Sequence, residues 1–203
     1  MINIGVLAST KATDMQAIID AIESKKLDAK ISVLISNKKD AYCLERAKNN
    51  GIKSVFIDSK GKEREDFDKE VSKILEENKV QLILLIGYMR YLSKWFVDKY
   101  KNKIMNIHPS LLPAFAGGMD LNVHEEILKH GCKVTGCTLH FVDEGQDTGP
   151  IIAQKAIPIE EKDNADTLKE KVQKLEGECI IEGIKKFADK KLKVEGRIVR
   201  VLD

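Results

Sequence analysis

The 203-residue chain sets 34 basic residues against 32 acidic ones for a net charge of +2, so nothing in its charge calls for a polyanionic partner. At 43% hydrophobic and 33% charged, it reads as a globular domain large enough to hide roughly 70% of its unfolded surface. Its longest apolar run, "LILLIG", falls far short of the ~18 residues of a membrane span, and "MINIGVLAST" lacks the basic start of a secretion signal. The cysteines Cys43, Cys132, Cys137 and Cys179 contain no C-x-x-C pair and no regular spacing. They fit free thiols in a reducing compartment, and a soluble cytoplasmic protein is expected.

In chain order, "INIGVLA" reads as a strand, "STKATD" as a loop and "MQAIIDAIESKK" as a helix. The same unit recurs as "AKISVLIS" with "DAYCLERAKNNG", as "KSVFID" with "REDFDKEVSKILEENK", and as "VQLILLIG" with "SKWFVDKYKNK", before "IMNI" forms a fifth strand. Near-continuous apolar strands alternating with amphipathic helices predict a doubly wound α/β fold, its mostly parallel sheet covered by helices on both faces. After Pro113 the pattern changes to a glycine-bearing loop, "AFAGGMDLN", and a short helix, "VHEEILKHG". Two strands, "KVTGCTLHFVDE" and "PIIAQKAIPI", are joined by "GQDTG"; a helix from Asn164 to Lys191 and a strand at "GRIVRVL" close the chain. No repeat or linker interrupts it, so residues 1–203 are expected to form a single domain.

Ligands of such sheets sit at the carboxyl ends of the strands, where the strand order reverses. "NIHPSLLP" lies at that edge: Asn106 offers a neutral N–H donor and His108 one with charge near neutral pH, a pair suited to an oxyanion. Pro109 and Pro113 restrict the backbone around them. Alone, the pattern also fits a structural turn with a hydrogen-bonded histidine. In "DEGQDTGP", Asp147 supplies a carboxylate that could orient His108, or that simply caps a turn.

Together "GYMRYLS", "NIHPSLLP" and "HFVDEGQDTGP" resemble the folate-dependent formyltransferases, in the branch that formylates the amine of glycinamide ribonucleotide during purine synthesis. The resemblance runs from the first strand to "FADKKL" and implies one Rossmann-like formyltransferase domain. It implies a catalytic trio, Asn106, His108 and Asp147, in which the first two hold a tetrahedral oxyanion and Asp147 keeps His108 charged and assists proton transfer. The co-substrate it implies is 10-formyltetrahydrofolate, with no metal. Arg64, Met89, Arg90, Tyr91, Leu92, Asn106, Val142, Asp143, Glu144 and Gln146 match its folate-binding positions. Ser9, Thr10, Lys11, Ala12, Thr13, Asp14, Gly87, Pro109, Gln173 and Glu176 match those of the ribonucleotide. The partners implied are small molecules, with no nucleic acid or membrane, acting on a monomer or homodimer.

Two stretches depart from the family pattern. The glycine-rich phosphate loop is here "STKATD", with no glycine; a helix N-terminus still attracts an anion, and Lys11 could replace part of the backbone cradle. Otherwise Thr13 or Asp14 simply caps the helix. The segment after Pro113 is a few residues longer than usual and puts Gly117, Gly118, Met119 and Asp120 at the expected rim; His124 receives no role. Without the family, Gln173 and Glu176 read as a solvated helix face. The alternatives are a different acceptor amine, hydrolysis of formyltetrahydrofolate, or a non-catalytic folate- or nucleotide-binding module. A transfer-RNA formyltransferase would need a further domain, for which this length leaves no space.

Overall fold

The computed structural model describes residues 1–117 and 122–203, so Gly118, Met119 and Asp120 lie outside the described residues. The chain divides into two compact units, Met1–Asn106 and Ile107–Asp203.

The first unit alternates strand and helix: β1 (Ile2–Ala8), α1 (Asp14–Glu23), β2 (Ala29–Ser36), α2 (Tyr42–Asn49), β3 (Ser54–Phe56), α3 (Arg64–Glu77), β4 (Leu82–Leu85), α4 (Lys94–Lys99) and β5 (Ile104–His108). The strands lie in the order β3-β2-β1-β4-β5, and every pair is parallel. Ile4, Val6, Leu7, Leu82 and Ile83 are all buried, the sign of strands covered on both faces. The order reverses between β1 and β4, which brings the loops following those two strands side by side. β5 runs past the division between the units and carries Asn106 and His108, two apart and so on one side of the strand.

The second unit contains α5 (Val123–Lys129), β6 (Val134–Phe141), β7 (Ile151–Pro158), α6 (Ala165–Ala188), β8 (Leu192–Glu195) and β9 (Ile198–Val201). β6 and β7 are antiparallel, β9 runs parallel to β7, and β8 and β9 form a terminal hairpin. A capping box starts α6: the Asn164 side chain accepts from the Asp166 and Thr167 N–H groups, and Thr167 Oγ1 accepts from Asn164 N–H. Leu168, Val172, Cys179, Ile180 and Ile184 form its buried stripe. All four cysteines are free thiols, and no helix among the described residues is long and apolar enough to cross a membrane.

Candidate active site

In the first unit, Ser9–Asp14 follows β1 and Gly87–Ser93 follows β4, and they are bound together. Ser9 Oγ donates to Asn37 Oδ1 at 2.6 Å and accepts from Met89 N–H at 2.8 Å. Ser9 N–H donates to the Gly87 carbonyl, as does Thr10 Oγ1 at 3.4 Å. A Cβ on Gly87 would collide with Thr10 Oγ1, and its φ is +59, so a glycine is required there.

The loop that lacks glycine still takes a left-handed turn: Ala12 has φ +46 and Thr13 is right-handed. Such an alternation is the conformation of an anion-binding nest. Among the described residues the Lys11, Ala12 and Thr13 N–H groups have no hydrogen-bond acceptor, and they lead into α1. Thr13 makes no side-chain cap. From α2, Cys43 N–H donates to the Thr10 carbonyl and Arg46 Nε–H to the Lys11 carbonyl at 3.1 Å. Burial raises the Asp14 pKa to about 6, against the pull of its own N–H and of Arg46.

Met89, Arg90 and Leu92 are half-buried and Tyr91 is exposed. The backbone N–H and C=O groups of Arg90 and Leu92 make no hydrogen bond among the described residues. Unpaired backbone beside half-buried apolar residues suits a flat ligand with donors and acceptors on its edge. Arg64, at the start of α3, lies over the Tyr91 ring at 5.8 Å.

The second unit brings His108 and Asp147 together: His108 Nε2 lies 3.5 Å from Asp147 Oδ2. Ser110 Oγ donates to the Ala114 carbonyl at 2.6 Å, so across its 3.0 Å contact with His108 Nδ1 it accepts. That places a proton on His108 Nδ1 and turns Nε2 to Asp147. A second imidazole, His140, is 2% exposed. Its Nδ1 donates to the Phe141 carbonyl at 2.8 Å, and its Nε2 lies 3.6 Å from Asp147 Oδ1. Asp147, at φ +53, also accepts Gly117 N–H at 3.1 Å.

Burial pulls the His108 pKa below its ordinary value and His140 adds to this, while Asp147 works against both. Burial alone would raise Asp147, but its bond to His140, the His108 charge and Gly117 N–H bring it below the usual carboxylate range. His140 was missed in the sequence although it opens the motif "HFVDEGQDTGP": on a strand its polarity reads as pleat alternation. The glycine of that motif has a steric reason, since a Cβ on Gly149 would overlap the Phe141 carbonyl.

The segment after His108 is fixed from β6 and β7. Pro109 leads into Ser110, whose carbonyl accepts from Thr138 Oγ1 at 2.7 Å; Leu112 N–H donates to that Oγ1, and Gln154 Nε2 donates to the Leu112 carbonyl at 3.0 Å. The Leu112–Pro113 peptide is cis. Val142–Gln146 forms a loop folded on Asp143, whose Oδ1 accepts from Gly145 N–H and Thr148 Oγ1; the Gln146 side chain lies against Gly117, and Glu144 is exposed. Gln173 is half-buried on α6. Glu176 is only 6% exposed, which overturns the solvated-face reading for that residue. His124 is buried, and among the described residues its Nδ1 has no hydrogen-bond partner. No group of three or more His, Cys, Asp or Glu among the described residues could hold a metal ion.

The doubly wound fold with this histidine–aspartate pair is that of a group-transfer enzyme: the chain belongs to the formyl transferase family, whose model matches residues 2–184. Among its relatives, the phosphoribosylglycinamide formyltransferase of Bacillus subtilis is 40% identical over 172 residues, 84% of this chain and 87% of that protein. The trifunctional purine biosynthetic protein adenosine-3 of Gallus gallus is 43% identical over 176 residues, 86% of this chain but 17% of that protein. The chain thus spans under a fifth of the length of such multifunctional relatives. The crystal structure of glycinamide ribonucleotide transformylase 1 from Symbiobacterium toebii matches 100% of this chain and 95% of its own, with TM-score 0.94 and 42% identity.

Proposed function

We propose that the chain, acting as one formyltransferase domain in the cytoplasm, transfers the formyl group of 10-formyltetrahydrofolate to the amine of glycinamide ribonucleotide in purine synthesis. The observation that carries this reading is His108 Nε2 aimed at a carboxylate while its Nδ1 is fixed by Ser110. The folate is a co-substrate and supplies the formyl carbon; its pterin is read by the Arg90 and Leu92 backbone between Met89 and Leu92, with Arg64 toward its glutamate end. Val142–Gln146 lines the same ligand. The Lys11–Thr13 N–H groups and the Lys11 ammonium hold the ribonucleotide phosphate, and Glu176 with Gln173 hold its polar body.

Asn106 donates its side-chain N–H to the oxygen on which charge develops as the amine attacks. The proton that the attacking amine sheds passes to His108, whose imidazolium, stabilised by Asp147, faces the oxyanion. That proton then goes to the folate nitrogen as its bond to the formyl carbon breaks, releasing tetrahydrofolate and the formylated amine.

The test is release of tetrahydrofolate from 10-formyltetrahydrofolate by the purified protein, with and without glycinamide ribonucleotide. Release that requires the ribonucleotide and yields formylated product supports the reading. Release without it identifies a hydrolase, and no release either way refutes both.

A further inference from the structure

Three residues of α3, Arg64, Phe67 and Asp68, stand at i, i+3 and i+4 and so share a helix face. Each meets a different residue of the loop after β4. Arg64 lies over the Tyr91 ring at 5.8 Å, and the Arg90 guanidinium stacks on the Phe67 ring at 4.4 Å. Asp68 Oδ2 accepts Ser93 N–H at 2.6 Å within the interior, and Asp68 is 1% exposed. Ser93 is the N-cap of α4, its Oγ accepting Phe96 N–H at 3.2 Å.

Burial raises the Asp68 pKa, opposed by the Ser93 hydrogen bonds and by the charges of Arg90 and Arg64. The Tyr88 hydroxyl is buried near the same groups. Among the described residues, the stretch from Tyr88 to Leu92 makes a single backbone hydrogen bond, Met89 N–H to Ser9 Oγ. Its shape therefore depends on what α3 holds at Arg90, Tyr91 and Ser93.

We infer that Asp68, through Ser93 and with Phe67 under Arg90, is the positioning residue that fixes the Arg90–Leu92 backbone for the pterin of the folate. This rests on the folate reading of that loop. Asp68 touches no substrate; it anchors the end of a strand-to-helix connection that has no ladder of its own. An uncompensated Arg90 beside an unpaired Ser93 N–H would reshape the loop.

The test compares Asp68→Leu, Asp68→Asn and Phe67→Leu with the wild type. Tetrahydrofolate affinity is read by anaerobic titration calorimetry, KM for glycinamide ribonucleotide by turnover, and amide exchange across residues 88–93 by mass spectrometry. Asp68→Leu should weaken tetrahydrofolate binding at least tenfold, with faster exchange at 88–93 and a ribonucleotide KM within twofold of wild type. Asp68→Asn, which keeps an acceptor for Ser93, should recover part of the loss. If Asp68→Leu does not fold, Phe67→Leu, which keeps an apolar side chain but removes the ring under Arg90, carries the same test at about threefold. Folate binding unchanged in the variants, or both constants rising together, overturns the inference while leaving the function intact. A wild type that binds no tetrahydrofolate overturns both.

Discussion

Replacing Asp14 by Asn should stabilise the protein at neutral pH and leave it unchanged in acid. Asp14 is the first residue of α1, and burial raises its pKa from 3.8 to about 6. Below 3.8 the carboxyl is neutral in both folded and unfolded chains and opposes nothing. Between 3.8 and 6 the folded chain keeps a proton that the unfolded chain has lost, so stability declines as pH rises through this window; above 6 it is flat at the lower level. A difference of about 2.2 units at about 1.36 kcal/mol each sets the penalty at roughly 3 kcal/mol as an upper bound. At roughly 2–4 °C per kcal/mol for a chain of this size, Asp14→Asn should raise Tm by several degrees at pH 7.5 and by almost nothing at pH 3.5. Thermal unfolding followed by circular dichroism across that range checks it. An equal gain at both pH values, or none at 7.5, would refute the claim that the buried charge opposes folding here.

His108→Ala should lower turnover by two to three orders of magnitude, about 10²–10³, while tetrahydrofolate affinity measured by calorimetry stays close to wild type; a loss of only a few fold would exclude the oxyanion role. Lys11→Ala should raise KM for glycinamide ribonucleotide roughly tenfold without altering KM for the folate, and an unchanged ribonucleotide KM would show that the backbone cradle suffices. His140→Asn removes the largest of the influences that hold Asp147 below the carboxylate range. Burial then raises Asp147, so the acid limb of the kcat/KM profile should move to higher pH, and a profile superimposable on wild type would show that His140 serves only packing.

The first unit was readable from the sequence because its strands are buried on both faces and its helices are amphipathic, so one periodicity gives way cleanly to the other. β8 was not. "LKVE" alternates half-buried and exposed residues with no buried position, so the expected elements pass over it, between the helix ending at Lys191 and the strand at "GRIVRVL". Glu176 was misplaced for a related reason. A helix pattern shows which side chains share a face, but not that a glutamate on that face sits among Leu168, Val172 and Ile180 in the interior. Tautomers are a third kind of information that spacing does not hold. The carbonyls of Ala114 and Phe141, each accepting a hydrogen bond, show which nitrogen of either histidine carries a proton.

The same distinction explains how a loop without glycine holds a left-handed turn at Ala12. A left-handed alanine costs about 1–2 kcal/mol, and Ala12 adopts that conformation at 2% exposure. What offsets the cost comes from elsewhere in the chain: Cys43 N–H on the Thr10 carbonyl, Arg46 on the Lys11 carbonyl, and Arg46 Nη1 on Gln16 Oε1 at 2.8 Å. Each tether uses a carbonyl or side chain and occupies none of the loop N–H groups. Glycine is thus dispensable for this left-handed turn, because a neighbouring helix holds the backbone instead. Its determinants then lie on α2, some thirty residues from the turn they shape, where no local motif would reveal them.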